Sequence, residues 1–315
     1  MSHELSVAVV SFNTRALTLQ CLAATEAAAA GWDAAFTLVD NGSSDGTVDA
    51  VRRERPGWRV LVLAENPGYG AALNRALRMA PGRFCLALNA DVALHADAPH
   101  RLRAVLESRP ECGLAGPALV YPDGRPQPSA RRFPALAGAL AELAGGPAVV
   151  PTRVWERWFY YGDRDLTRDA LVDTVSGAVM MLRGEAFEKV GGFDEGFRMY
   201  FEETDLCRRL HDAGLAVAFC PEARAVHQRA ASTLQTSVRL VEYYVSLIRY
   251  FRKHHGRGPA SILTAAVALS TVARMAALIL RYPPLDRRRA ALLSTKEAAC
   301  AHLLRRLWPS AAARA

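Results

Sequence analysis

Short apolar runs and amphipathic stretches alternate from the start of the chain, which predicts strands and helices in turn. Leu5 to Asn13 reads as a first strand, and the Ala-rich stretch from Arg15 to Ala30 as a helix that Gly31 ends. Phe36 to Val39 is a second strand. It breaks at Asp40-Asn41-Gly42-Ser43-Ser44-Asp45-Gly46-Thr47, a run of turn formers, before a helix from about Val48. Val60 to Leu63 is a third strand, and Asn66-Pro67-Gly68-Tyr69-Gly70 turns the chain into a helix from Ala71 to about Met79. Phe84 to Leu88 is a fourth strand, stopping at Asn89-Ala90-Asp91. Alternation over the first ~110 residues predicts βαβ units and a mostly parallel central sheet flanked by helices.

After Gly116 the pattern loosens. Residues 117–171 are rich in Pro, Arg, Gly and aromatics, and a segment of that length without periodicity predicts a functional loop or lid. Val172 to Met181 reads as one more strand, Glu185 to Val190 as a short helix, and Glu202 to Ala213 as a helix ended by Gly214. Leu215 to Cys220 and Ala223 to Val226 read as two short closing strands, and Ser237 to His254 as a long helix. The expected division is an α/β domain over 1–236, with 117–171 as its variable region, and a helical tail over 237–315.

Charge changes the picture of the tail. From Ile248 onward there are 13 Lys and Arg against 2 Asp and Glu, whereas the rest of the chain has 26 against 29. A tail both basic and apolar predicts an anionic membrane surface rather than nucleic acid as partner. Ala260 to Leu280 is long enough to span a bilayer, but Arg274 and four Ser/Thr argue against insertion. A surface helix, a packed or homo-oligomer-forming helix, and a true span all stay open. A basic helix follows Pro283-Pro284, with Arg287 to Arg289 and Arg305-Arg306 set to face lipid phosphates. Six scattered cysteines without metal-type spacing predict reduced thiols, and Met1 to Glu4 lacks a secretion-signal pattern. The expected location is therefore cytoplasmic, peripheral on the inner face of the membrane.

Candidate chemistry sits at strand ends, where open α/β sheets place ligands. Asp91 is read either as a ligand of a divalent cation that holds a diphosphate or as a cap of the next helix. Asp40 can accept from the ring N–H of a pyrimidine base, and Asp45-Gly46 adds polar contact; plain turn chemistry is the rival for both. Gly68-Tyr69-Gly70 lacks the third glycine of a dinucleotide fingerprint and more simply permits a tight turn, with Asn74 facing the crevice. Glu202, Glu203 and Asp205 open a helix in apolar company, so one of them can serve as a general base with a raised pKa, or all three merely cap. His227, at the last strand end, completes a cation site with Asp91 or is structural. Arg131 and Arg132 either clamp a phosphate or are solvated, and Trp158, with Trp155 and Tyr161, forms a sugar platform or anchors the loop.

Taken in order, Val10-Ser11-Phe12-Asn13, Val39 to Gly46, Asn66 to Gly70 with Asn74, Leu88-Asn89-Ala90-Asp91, Val175-Ser176-Gly177-Ala178, Gly191 to Glu195 and Met199 to Cys207 resemble the inverting family 2 glycosyltransferases, nearest the rhamnosyltransferase-like branch. The resemblance covers about residues 5 to 230. It implies a GT-A fold with a C-terminal helical extension, a nucleotide-sugar donor such as dTDP-rhamnose or a UDP-sugar, a glycan or polyprenyl-linked acceptor, and Mg²⁺ or Mn²⁺. It assigns the base contact to Asp40, the metal to Asp91 and His227, and the catalytic base to Glu203, with Glu202 as rival. Ser11, Asn13, Asn41, Asp45, Asn66, Gly68, Asn74, Asn89 and Ala90 fall on the donor side, and Ser176 and Gly177 on the acceptor side. Two departures stand out: the usual Asp-x-Asp is Asn89-Ala90-Asp91, and the base is Glu where Asp is commoner. A nucleotidyltransferase would carry a basic, Gly-rich first loop, which Ser11-Phe12-Asn13-Thr14 does not supply. A catalytically silent sugar- or membrane-binding relative is the third reading.

Overall fold

The computed structural model of the protein describes residues 3–229, 236–281 and Leu303. Along the first half run β1 (His3–Ser11), α1 (Arg15–Ala28), β2 (Ala34–Asp40), α2 (Thr47–Glu54), β3 (Arg59–Val62), α3 (Tyr69–Met79), β4 (Gly82–Asn89), β5 (Val92–Leu94), α4 (Ala98–Ser108) and β6 (Cys112–Val120). Then come β7 (Pro126–Gln127), β8 (Ala130–Arg131), α5 (Leu136–Leu143), a 3₁₀ turn (Gly146–Ala148), α6 (Thr152–Phe159), β9 (Ala170–Val172), β10 (Thr174–Val175) and β11 (Val179–Arg183). The chain closes with α7 (Gly184–Lys189), α8 (Glu202–Asp212), β12 (Ala216–His227), α9 (Thr236–His254) and α10 (Arg257–Arg281).

Among the described residues, ten strands form one sheet with the path β3-β2-β1-β4-β11-β6-β12-β5. Strands β1 to β4 pair in parallel, as their near-continuous apolar runs require when both faces are covered by helices. Strand β11 runs antiparallel to both β4 and β6, and the short β5, β7 and β9 also join antiparallel. Leu5, Val7 and Val9 of β1 face one buried layer and Ala8 the other, the period-2 division of a central strand.

Three sequence expectations change. The run Val172 to Met181 is not one strand: it splits into β9, β10 and β11, with Ser176-Gly177-Ala178 between the last two. There the Ser176 N–H leaves the main sheet to bond the Ser129 carbonyl at 2.7 Å. The two closing strands are a single β12, with a register shift between Cys220 and Arg224 where Pro221 has no N–H to give. The stretch 117–171 is not structureless. Strand β6 continues to Val120, and β7, β8, α5, the 3₁₀ turn, α6 and β9 follow.

The chain divides into two compact units. The first holds Met1–Phe133, Phe159–Arg198 and Glu202–Thr233, and so the sheet and its covering helices. The second gathers Pro134–Trp158, Met199–Phe201 and the described residues from Leu234 on. In it, α10 buries Ala260, Leu263, Val267 and Thr271, spaced as one helical stripe, while Ile262, Leu269 and Val272 stay exposed. No helix among the described residues is long and apolar enough to cross a membrane. The basic helix expected after Pro283-Pro284, including Arg287 to Arg289 and Arg305-Arg306, lies outside the described residues, as does Cys300.

Candidate active site

The site grows from the carboxyl ends of β1, β2 and β4. The Asp40 carboxylate is fully buried: Ser11 Oγ donates to one oxygen at 3.0 Å, and the Ser43 and Gly42 N–H groups donate to the other at 2.8 and 3.2 Å. It therefore shapes the 41–43 loop from inside. Asn13, at φ 51°, accepts from the Ser44 N–H at 2.8 Å and gives its own N–H to Ser43 Oγ at 2.8 Å. Asp45 accepts from the Arg15 N–H at 2.9 Å and from the Thr47 hydroxyl at 2.5 Å, joining the starts of α1 and α2. Asn66 accepts from Asn41 Nδ2 at 3.2 Å and from the Gly68 N–H at 3.0 Å. Gly68, at φ 102°, can only be glycine: a Cβ there would lie 2.2 Å from the Arg198 carbonyl oxygen.

Strand β4 ends at Asn89, whose N–H donates to the Ala178 carbonyl at 3.0 Å; Ala90 is buried behind it. Asp91 follows in the turn to β5. The helix-cap reading falls away, because the next helix begins at Ala98 with Asp97 at its cap. Antiparallel pairing sets His227 opposite Val92, and the Gln228 N–H donates to the Asp91 carbonyl at 3.0 Å. His227 Nε2 then stands 3.3 Å from Asp91 Oδ1, with the two side chains only 12% and 14% exposed. Gln127 fixes the ring. Its Nε2 donates to the His227 carbonyl at 2.8 Å, which turns its Oε1 toward His227 Nδ1, also at 2.8 Å.

This arrangement fits a hard divalent cation. With Nδ1–H given to Gln127, the Nε2 of a neutral imidazole carries a lone pair, and it converges with a carboxylate oxygen. Among the described residues no three His, Cys, Asp or Glu side chains gather to hold a metal unaided. Two protein ligands suffice for Mg²⁺ or Mn²⁺ when substrate phosphate oxygens and water fill the remaining positions.

The second acid cluster opens α8. Glu203 packs on Gly177, where a Cβ would meet the Glu203 Cβ at 3.3 Å. Burial pushes its pKa up; backbone N–H groups, Arg131 and Thr204 pull in the other direction. Glu202 is 7% exposed, its Oε2 has no hydrogen-bond partner, and burial followed by the Glu203 charge holds its carboxyl well above the usual range. Both carboxylate clusters act on one phenol. Tyr69 donates to the Gly177 carbonyl at 2.8 Å, and its pKa is raised first by burial and then by Glu202, Glu203, Cys21 and Asp91. The link runs through the backbone as well: Asn89, two positions before Asp91, bonds Ala178, next to the glycine that abuts Glu203. Ser176 closes this turn, its Oγ accepting from the Ala178 N–H at 3.3 Å.

Several expected site residues are engaged elsewhere. Asp205 is fully buried and ion-paired to Arg209 at 2.8 Å, so it serves the helix and not the crevice. Asn74, expected to face the crevice, is 1% exposed; it gives Nδ2 to the Phe193 carbonyl and to Glu195, and takes the Phe193 N–H at 2.8 Å. Arg132 is committed to Asp163 at 2.7 and 2.9 Å and lies 4.4 Å over the Tyr161 ring. Tyr161 itself anchors the loop through the Asp173 N–H. Arg131, on β8, is exposed and acts on Glu203 through its charge. Trp158 belongs to the second unit, on an exposed face of α6. Gln127 and the hydroxyl of Tyr69 were not among the expected site groups, because their partners lie 100 and 108 positions away.

The sequence profile for Glycosyl transferase family 2 matches residues 6–191, and that for Glycosyl transferase family group 2 matches 141–303. An N-acetylglucosaminyl-diphospho-decaprenol L-rhamnosyltransferase of Mycobacterium tuberculosis (strain ATCC 25618 / H37Rv) is 35% identical over 214 residues, 62% of this chain and 67% of that protein. The O-antigen biosynthesis protein RfbC of Myxococcus xanthus is 30% identical over 227 residues, 68% of this chain and 16% of that protein. Among solved structures, the mannosyltransferase PcManGT of Pyrobaculum calidifontis, in complex with GDP-Man and Mn²⁺, superposes with a TM-score of 0.56 at 20% identity, covering 98% of this chain and 88% of that one.

Proposed function

The chain belongs to glycosyl transferase family 2, on its rhamnosyltransferase-like side, and from that premise we propose an inverting transfer of one sugar from a nucleoside-diphosphate donor to a hydroxyl of a polyprenyl-linked glycan. Membership removes the nucleotidyltransferase reading. The observation that carries the proposal is the 176–178 turn between the two groups: Gly177 abuts Glu203, and Ala178 accepts from Asn89, two positions before the Asp91 that pairs with His227.

Each residue has a task. The buried Asp40 and the Asn13, Asn41 and Asn66 network hold the loops that receive the nucleoside. Asp91 and His227 would hold a divalent cation, Mg²⁺ or Mn²⁺. Such an ion, when bound, supplies positive charge against the charge growing on the departing diphosphate. Glu203 takes the proton of the acceptor hydroxyl while that oxygen attacks the anomeric carbon from the face opposite the leaving diphosphate. One displacement inverts the configuration. Arg131, exposed and acting on Glu203 through its charge, meets the diphosphate of a lipid-linked acceptor in this scheme.

The acceptor follows the name of the mycobacterial relative, so N-acetylglucosaminyl-diphospho-polyprenol with dTDP-rhamnose is the first pair to test. In a screen of nucleotide sugars with Mg²⁺, the true donor at ~100-fold over its Kd stabilises by about 2.7 kcal/mol, a Tm rise of roughly 5–10 °C. A flat response across dTDP-, UDP- and GDP-sugars would refute the donor reading.

We place the enzyme at the inner membrane surface. Five described cysteines are free and buried, as suits a reducing compartment. In the second unit α10 exposes Ile262, Leu269 and Val272 at 53%, 72% and 54%, on the chain segment that carries the net positive charge. Co-sedimentation should show binding to anionic vesicles, lost at high salt, and Leu269→Asp should weaken it roughly 10-fold. Equal recovery with neutral and anionic vesicles, or none with either, removes the membrane assignment.

A further inference from the structure

Tyr200 and Phe201 are consecutive aromatic residues in the left-handed region, at φ 67° and 65°. A bulky side chain there is strained, and such strain persists only where the surroundings over-determine it. The next two residues, Glu202 and Glu203, open α8.

What holds the turn is α9, within the second unit. All three residues of the turn are gripped. Ser246 Oγ, itself 3% exposed, donates to the Met199 carbonyl at 2.7 Å. The Tyr200 ring meets Tyr243 edge-on at 5.8 Å, and its hydroxyl accepts from Arg239 Nε at 3.1 Å. The Phe201 ring, 9% exposed, packs on Tyr243 at 5.3 Å and on the fully buried Tyr250 at 5.9 Å. Tyr243 is braced in turn by Glu142 of α5 at 2.9 Å. A glycine would adopt the same backbone without this support. Two aromatics with dedicated partners mean that the conformation is imposed from outside the turn.

We infer that α9, through Ser246, Tyr243 and Tyr250, is a positioning element for the catalytic base: it pins the strained 199–201 turn and thereby sets where the Glu203 carboxylate stands. None of these residues is given a substrate contact in the proposed scheme. The inference rests on Glu203 being the base.

The test is steady-state transfer by the full-length chain, with donor KM and kcat taken separately. The variants are Ser246→Ala, Ser246→Thr and Phe201→Leu, with Glu203→Gln as control. Ser246→Ala removes the bond to the turn but no donor contact, so kcat should fall roughly 10-fold with donor KM unchanged. Ser246→Thr keeps the hydroxyl and should recover most of the loss. Phe201→Leu, which keeps an apolar side chain but gives up the ring contacts, should repeat the kcat-only defect. Donor-induced thermal shift on the same preparations reports that each variant is folded.

Wild-type kcat in both Ser246→Ala and Phe201→Leu, with Glu203→Gln inactive, overturns the clamp alone. So does a loss of kcat matched by an equal rise in donor KM, or a Ser246→Thr no better than Ser246→Ala. Wild-type kcat in Glu203→Gln removes the base assignment, and the clamp with it.

Discussion

Glu203→Gln is expected to transfer sugar ~10²–10⁴-fold more slowly than wild type with donor binding kept. The amide has the size of the carboxylate and cannot take a proton. Donor affinity should hold because the nucleoside loops and the Asp91–His227 pair are built from other elements. Glu202→Gln should retain most of the activity, since Glu202 is buried at 7% exposure with Oε2 unpartnered, whereas Glu203 lies partly exposed against Gly177 and within the field of Arg131. The pH profile carries the same assignment. A base works when deprotonated, and burial raises the pKa of Glu203, so activity should fall on acidification at a higher pH than the ~4.3 of an ordinary glutamate suggests. Arg131 opposes that rise. Arg131→Ala should therefore move the acid limb of kcat further up in pH. An unmoved limb would mean that the group titrating in turnover is not the one beside Arg131.

Much of this site could be read along the chain because its backbone obeys short-range rules. The apolar runs ending at Asp40 and Asn89 are strands, and a parallel sheet gathers their ends. Asp91, Glu203 and His227 were legible as residues whose type suits the chemistry and whose neighbours suit a strand or helix end. Residue type fails where burial decides. Asp205 and Glu203 sit two positions apart on one helix, yet one is sealed in an ion pair and the other meets the crevice wall. Asn74 and Arg132 look like ligand contacts in sequence and are spent on Phe193 and Asp163. The 176–178 break was lost in an apolar run, because the pairing that interrupts it comes from Ser129, far upstream. The α9 grip on residues 199–201 has no linear cue at all; it follows from tertiary contacts that override local backbone preference.

Asp91→Ala should abolish the part of donor binding that depends on Mg²⁺ or Mn²⁺, leaving the metal-independent part in place. Half of the protein's own ligand set goes with the carboxylate, because among the described residues no third His, Cys, Asp or Glu joins the pair. Turnover should drop by roughly 10²-fold or more, the range of losing one strong electrostatic contact at the reacting diphosphate. Gln127→Ala provides the finer test. Gln127 touches no substrate in this scheme; it holds the His227 carbonyl and Nδ1, and so presents Nε2 toward Asp91. Removing such an orienting partner typically costs ~10–100-fold in metal affinity. Calorimetry with donor, run with and without the ion, should therefore rank the three proteins. Wild type gains most from metal, Gln127→Ala gains less and needs more of it, and Asp91→Ala gains nothing. Excess metal should restore Gln127→Ala, whose ligands are intact but loosely aimed, and should not restore Asp91→Ala. If Asp91→Ala still bound donor more tightly in Mg²⁺, the cation would have to sit on other atoms, and the pairing of Asp91 with His227 would be an ordinary strand-end contact.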